Sequence, residues 1–215
     1  MDARQVLIVL DRDGVLNRTV PNPAEPRPDS PMHAGEVSLY PWVPSALRAL
    51  TDAGFGLCVA SNQPAAAKGK TTRAALEEAH ARVLAEAQRD GARILSSHVC
   101  FHRAEDGCDC RKPRTGLLRE AFLQHPTYAV AASWMVGDRA VDVLAGTSFG
   151  LKTAFLAGAA SATASDPGAD ELLALQARSV QPSFCGRDLR DFAEFILEFT
   201  LGIQSGKRPR SSPLR

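Results

Sequence analysis

The stretch Val6-Leu-Ile-Val-Leu10, followed at once by Asp11-Arg-Asp-Gly-Val-Leu-Asn17, organises this chain. Five consecutive apolar residues rich in Val, Ile and Leu fit a strand buried on both faces, as in a parallel sheet. The run stops at two carboxylates spaced i and i+2. In extended geometry those positions point to one side, so Asp11 and Asp13 are expected to face one small volume at the carboxyl end of the strand. In open α/β sheets ligands bind at that end. Two carboxylates in one site repel unless a cation lies between them or one holds a proton. The pair suits divalent-metal chemistry, or a nucleophile beside an acid; a solvated turn after a strand is the plainer alternative.

Downstream, strands and helices alternate. Pro44 to Ala53 reads as a helix with proline at its start and Gly54 at its end. Phe55 to Ala60 reads as a strand running out into Ser61-Asn62-Gln63, and Thr71 to Arg89 as a helix capped by Thr71 or Thr72. Strands over Ile94–Phe101, Ala129–Val136 and Leu151–Leu156, with helices over Thr115–His125 and Arg139–Gly146, continue the pattern. Such alternation predicts an α/β fold with a doubly wound, Rossmann-like parallel sheet. Three segments fall outside it. Val20 to Pro31 carries five prolines, so it is neither helix nor central strand; it is either a wall of the site or a surface loop. Ala157 to Asp170 reads as a loop. Asp188 to Ile203 places Leu189, Phe192, Phe195, Ile196 and Phe199 at helical spacing, which predicts a helix packed on the sheet.

Composition excludes several classes. A net charge of +1 over 215 residues gives no global field toward nucleic acid or a membrane surface. No apolar run reaches the roughly 20 residues that span a bilayer. The first strand begins by residue 6, leaving no room for a signal peptide, so a cytoplasmic location is expected. No repeat or heptad speaks for assembly, and a monomer is the default. Of five cysteines, Cys58 lies in an apolar run and reads as core. Cys185 belongs to no pattern. His33 is isolated and reads as structural or solvated.

The remaining cysteines form Cys100-Phe-His102-x5-Cys108-Asp-Cys110. Three thiolates and one imidazole complete a tetrahedral Zn²⁺ shell and leave no open position for catalysis, so a structural zinc is expected on the loop carrying Arg111 and Lys112. Three strand ends carry polar residues: Asp11 and Asp13, Ser61 and Asn62, and Asp138 with Asp142 four residues on. With Lys112 they suit phosphoryl transfer with magnesium, which takes one or two carboxylates plus phosphate oxygens and water. No Gly-x-x-x-x-Gly-Lys-[Ser/Thr] loop is present, which argues against a nucleoside-triphosphate enzyme.

From Val6 to about Leu156 these pieces, in this order, resemble the haloacid dehalogenase-like phosphatases. The family's first motif stands as Asp11-Arg12-Asp13-Gly14-Val15, its second matches Ser61, its third Lys112 and its fourth Gly137-Asp138 with Asp142. The resemblance implies that Asp11 is a nucleophile forming an aspartyl-phosphate and Asp13 the general acid and base. It also implies Mg²⁺ on Asp11, the Asp13 carbonyl and Asp138, phosphoryl contacts from Lys112 and Ser61, and Asp142 orienting Lys112 or a metal-bound water rather than binding metal directly. One phosphatase domain over residues 1–205, nearly capless and with a zinc-binding loop, would precede a basic, disordered tail at 206–215. The zinc loop and Leu10-Asp-Arg-Asp-Gly-Val-Leu-Asn17 narrow the resemblance to heptose-1,7-bisphosphate and histidinol-phosphate phosphatases. Asn62-Gln63-Pro-Ala-Ala-Ala67-Lys68-Gly69 is similar to the heptose enzymes' Asn-Gln-Ser-Gly-x-Ala-Arg-Gly. That favours the 7-phosphate of D-glycero-D-manno-heptose 1,7-bisphosphate, with Lys68 and Arg111 meeting substrate oxygens outside the transferred group. The short zinc-loop gap is similar to the histidinol branch, and histidinol phosphate or another small phosphorylated metabolite is the alternative. Pro64-Ala65 and the proline-rich loop depart from the family pattern where the leaving group should sit.

Overall fold

The computed structural model describes residues 2–22, 28–158 and 167–201. Strand β1 (Leu7–Leu10) lies at the centre of a sheet ordered β3-β2-β1-β4-β5-β6, with every neighbouring pair parallel. The other strands are β2 (Gly56–Asn62), β3 (Ser96–Cys100), β4 (Trp134–Gly137), β5 (Lys152–Leu156) and β6 (Phe184–Gly186). Both faces of β1 are covered, which is why its sequence is continuously apolar rather than alternating. Ile8 and Leu10 pack with Val43, Leu47 and Leu50 of helix α1 (Val43–Asp52), Val83 of α2 (Arg73–Ala87), and Phe192 and Ile196 of α6 (Leu189–Leu201). Leu7 and Val9 meet Leu117 and Leu118 of α3 (Gly116–Gln124) and Ala145 of α4 (Ala140–Phe149). The sheet is wound on both faces as expected, and among the described residues no inserted cap domain covers its carboxyl edge.

In this strand order the direction of winding reverses beside β1, and the crevice at that reversal is the ligand-binding position of such sheets. Asp11 follows β1 and its backbone N–H donates to Val136 of β4 at 2.8 Å, so the ends of β1 and β4 are locked side by side. Gly14 has φ +84°, a left-handed conformation that glycine adopts without strain. It turns the chain back toward Asn17, whose carbonyl accepts from the Gly14 N–H at 2.9 Å.

Several boundaries differ from the sequence expectation for local reasons. Val130–Ala132 form a 3₁₀ turn instead of extending β4, because the Ser133 hydroxyl donates to the Ala129 carbonyl and accepts from the Leu7 N–H. The third strand begins at Ser96, since the Ile94 N–H goes to the Gln88 side chain. Pro167 to Asp170, expected within a loop, start helix α5 (Pro167–Gln176), with proline opening the helix; residues 159–166 lie outside the described set. Strand β6 was not anticipated: it is three residues long and adds Cys185 to the sheet edge. Cys58 is core, and Thr72 caps α2 by accepting from the Ala75 N–H. The tail expected at 206–215 lies outside the described residues.

Candidate active site

Three strand ends converge here as anticipated. Lys112, 2% exposed, reaches the end of β2 and donates to the Ala60 carbonyl at 2.7 Å. Its ammonium also lies 2.9 Å from Asp11 Oδ1 and 2.6 Å from Asp142 Oδ1. Burial alone would push its pKa down, but the two carboxylates outweigh it and hold the lysine charged. Asp142 sits in the first turn of α4, where its Oδ2 also accepts from the Arg139 N–H at 3.1 Å. One carboxylate therefore caps a helix and steers a lysine.

Asp11 uses Oδ1 twice, toward Lys112 and toward the Arg12 N–H at 2.7 Å. Its Oδ2 takes no hydrogen bond among the described residues. Asp11, Asp138 and Asp142 offer oxygens within 4.8 Å of one another. Asp138 Oδ1 is buried without a protein partner, and burial, followed by the charges of Asp11 and Asp142, pushes its carboxyl well above the usual range. A divalent cation answers that unbalanced charge, and a hard oxygen donor set suits magnesium. Gly14 leaves room for the Asp138 carboxylate: a Cβ there would lie 1.9 Å from Asp138 Oδ2.

Asp13, two residues on from Asp11, is held by a separate set of donors. Its carboxylate accepts from Arg12 Nε at 3.1 Å and Nη2 at 3.0 Å, from Asn17 Nδ2 at 2.8 Å and from Gln63 Nε2 at 2.6 Å. Burial pushes this carboxyl up, but the Arg12 charge and the amide donors prevail and hold it below the ordinary value. Arg12, Asn17 and Gln63 are buried residues whose part in the site sequence reasoning missed. A charged residue between the two motif aspartates was the one available signal.

Ser61, 1% exposed, accepts from Gln63 Nε2 at 2.8 Å. Asn62 faces Lys112 rather than open space: its amide exchanges two hydrogen bonds with the Lys112 backbone, at 3.0 and 3.1 Å. Lys68 is exposed and pairs with no described acid. Arg111 is half-buried and its Nη1 donates to the His102 carbonyl at 3.1 Å, so part of its guanidinium supports the cysteine loop. Within the described part of the proline-rich segment, Asp29 pairs with Lys70 at 2.9 Å and accepts from Asn22 Nδ2 at 2.7 Å.

Cys100, His102, Cys108 and Cys110 come together as expected. Sulfur–sulfur distances are 3.7 Å (Cys100–Cys108), 3.2 Å (Cys100–Cys110) and 3.5 Å (Cys108–Cys110), with His102 Nδ1 3.5 Å from Cys100 Sγ and 3.3 Å from Cys110 Sγ. A tetrahedron of thiolates about 2.3 Å from zinc has edges of about 3.8 Å, so the four donors fit that ion. Without a cation, burial and then the neighbouring thiols push Cys110 up to about 12.

A HAD-hydrolase-like family model matches residues 109–191. The chain is 36% identical over 149 residues to D-glycero-beta-D-manno-heptose-1,7-bisphosphate 7-phosphatase of Pseudomonas putida, covering 67% of this chain and 78% of that one. It is also 36% identical over 140 residues to the histidine biosynthesis bifunctional protein HisB of Legionella pneumophila, covering 63% of this chain and 37% of that protein. Among solved structures, the D,D-heptose 1,7-bisphosphate phosphatase of B. bronchiseptica complexed with magnesium and phosphate aligns at a TM-score of 0.73 and 26% identity, over 90% of this chain and 99% of that one. With the carboxylates, lysine and cysteine cluster gathered on one sheet edge, these likenesses show that the chain belongs to the haloacid dehalogenase-like phosphatases, in the branch of the heptose-1,7-bisphosphate and histidinol-phosphate enzymes.

Proposed function

We propose that this phosphatase removes the 7-phosphate of D-glycero-D-manno-heptose 1,7-bisphosphate through an aspartyl-phosphate on Asp11. The observation that carries the chemistry is the Lys112 ammonium seated between Asp11 and Asp142, with an unbalanced Asp138 whose carboxylate lies within 4.8 Å of theirs. The likeness to heptose phosphatases over two thirds of the chain supports the substrate.

Asp11 Oδ2 attacks phosphorus while Lys112 holds Oδ1 and fixes the carboxylate's direction. The phosphorus–oxygen bond to the sugar breaks, and Asp13 gives the leaving oxygen its proton. Asp13 must carry that proton, and the arriving phosphate dianion supplies the reason, since a nearby negative charge raises a carboxyl's proton affinity. Asp13, now a carboxylate, takes a proton from water as the water oxygen bonds phosphorus; the phosphorus–oxygen bond of the Asp11 acyl phosphate breaks, and phosphate and the free Asp11 carboxylate result. Ser61 and Lys112 contact the transferring oxygens, with Asn62 anchoring the Lys112 backbone. Asp11, the Asp13 carbonyl and Asp138 would hold Mg²⁺, which when bound supplies preorganised positive charge to a phosphoryl oxygen. Lys68 and the free edge of Arg111 would meet the retained phosphate. Cys100, His102, Cys108 and Cys110 would hold a structural Zn²⁺ that stiffens the loop carrying Lys112. The enzyme would act as a cytoplasmic monomer.

Phosphate release with Mg²⁺ from both anomers of heptose 1,7-bisphosphate, from histidinol phosphate and from several hexose phosphates tests this. Preference for a heptose anomer is expected. Preference for histidinol phosphate would replace the substrate, and full activity in Asp11→Asn would remove the mechanism.

A further inference from the structure

Gln63 has no part in the reaction just described, yet it is 1% exposed and touches two groups that do. Its Nε2 lies 2.6 Å from Asp13 Oδ2 and 2.8 Å from Ser61 Oγ. An ionised carboxylate only accepts, so the Gln63 group facing it is the NH₂, and the amide orientation is settled by its partner. One hydrogen then goes to each neighbour. Ser61 Oγ is left as an acceptor from Gln63, and its own hydrogen is free for another oxygen. The backbone holds this amide in place, because the Gln63 N–H donates to the Cys100 carbonyl at 2.7 Å.

Around Asp13 the remaining clamp has a matching peculiarity. Arg12 is fully buried, and Arg12 Nη1, Asn17 Oδ1 and Gln63 Oε1 each lack a protein partner. A buried polar atom without a partner costs roughly 1–3 kcal/mol. An arrangement selected for stability alone would close these bonds or replace them with apolar side chains. All three side chains instead converge on one carboxylate.

We infer that Gln63 is a positioning residue that sets the general acid Asp13 and the phosphate-binding hydroxyl of Ser61 in register through one shared amide. The inference rests on the proposed role of Asp13. With substrate bound, the Ser61 hydrogen goes to a phosphoryl oxygen while Gln63 keeps Asp13 directed at the oxygen that leaves the same phosphorus. Loss of the amide would let the carboxyl turn fully onto Arg12 and Asn17, away from the leaving group.

The test compares two esters in one enzyme preparation. A sugar phosphate has a poor alkoxide leaving group and needs the acid, whereas p-nitrophenyl phosphate leaves as a stable phenolate and does not. For Gln63→Met and Gln63→Leu, kcat/KM should fall about 10²-fold on the best sugar phosphate of the panel above, within the range of a positioned acid, and under ~5-fold on p-nitrophenyl phosphate. The ratio of the two is independent of the active fraction, so partial unfolding cannot imitate it. Equal losses on both esters, or none on either, would overturn the inference. An Asp13→Asn variant as active as wild type on the sugar phosphate would instead overturn the acid role on which it rests.

Discussion

Removing the charge of Lys112 while keeping its stem tests the electrostatic core of the site. In Lys112→Met, Asp11 and Asp142 lose the ammonium at 2.9 and 2.6 Å and remain buried with oxygens within 4.8 Å of each other. At an effective dielectric constant near 20, two charges at that separation repel by about 3.5 kcal/mol. Protonating one carboxylate relieves the repulsion, and at pH 7 that costs about 4 kcal/mol from an ordinary pKa of about 3.9. Protonation thus caps the penalty, and a destabilisation of about 3–4 kcal/mol follows, as for other buried pairs broken on one side. The sign with pH is fixed. Burial first, against the pull of Lys112, already lifts Asp142 to about 6, and loss of the lysine lifts it further above its unfolded value. A raised carboxyl destabilises the fold fully above its folded pKa, and the penalty shrinks as pH falls through that value toward the unfolded one. The penalty should therefore shrink by roughly 1–2 kcal/mol between pH 7 and 5.5. Urea unfolding in magnesium-free buffer measures it, and Lys112→Met/Asp142→Asn should recover about half. A single-variant loss under ~1 kcal/mol, no recovery in the double variant, or a penalty independent of pH would refute the reasoning.

Three further outcomes follow from other parts of the structure. Cys110→Ser should lower bound zinc, measured by metal analysis of the purified chain, to well under one equivalent, and should lower Tm by several degrees at about 2–4 °C per kcal/mol for a chain of this size. Gly14→Ala places a methyl group 1.9 Å from Asp138 Oδ2 at a residue with φ +84°, so it should destabilise by more than the roughly 1 kcal/mol of left-handed strain and weaken magnesium binding in titration calorimetry. His80 bonds the Ser97 hydroxyl, and burial, then the Arg12 charge, lowers its pKa to about 4. The unfolded chain takes that proton first, near pH 6.5, so wild type should lose up to about 3 kcal/mol between pH 6.5 and 4 that His80→Gln does not lose; parallel stability curves would contradict this.

The sheet was legible wherever a strand is buried on both faces and stops at a polar residue: Val6 to Leu10 before Asp11, Gly56 to Ala60 before Ser61, and Trp134 to Val136 before Gly137 and Asp138. Burial on two faces forces an unbroken apolar run, and such runs are visible in one dimension. The cysteine cluster was legible because its donors lie within eleven residues, Cys100 to Cys110. The clamp on Asp13 was not. Gln63 reaches it across fifty positions, and nothing local in Asn62-Gln63-Pro64 marks the amide as bound to a carboxylate after β1. Strand β6 escaped notice because three residues carry no periodicity, and its pairing depends on β5 beside it. Helix α5 follows a stretch of small residues whose composition masks the onset at Pro167.

Charge balance connects these pieces to turnover. Asp13 and Arg12 form a neutral pair, which leaves Asp11, Asp138 and Asp142 against the single ammonium of Lys112. Three negative charges and one positive leave two uncompensated in a region where little water screens them, so a divalent cation brings the crevice to neutrality and a monovalent one does not. A phosphoryl dianion entering a neutral site meets Lys112 and the cation as its nearest charges, whereas entering the uncompensated site it would meet net repulsion. Asp13 stays outside that balance because Arg12 neutralises it. The separation of Asp13, clamped by Arg12, Asn17 and Gln63, from Asp11, held by Lys112, thus gives two carboxylates two residues apart a cation each, so a change in the charge of one falls first on its own partner.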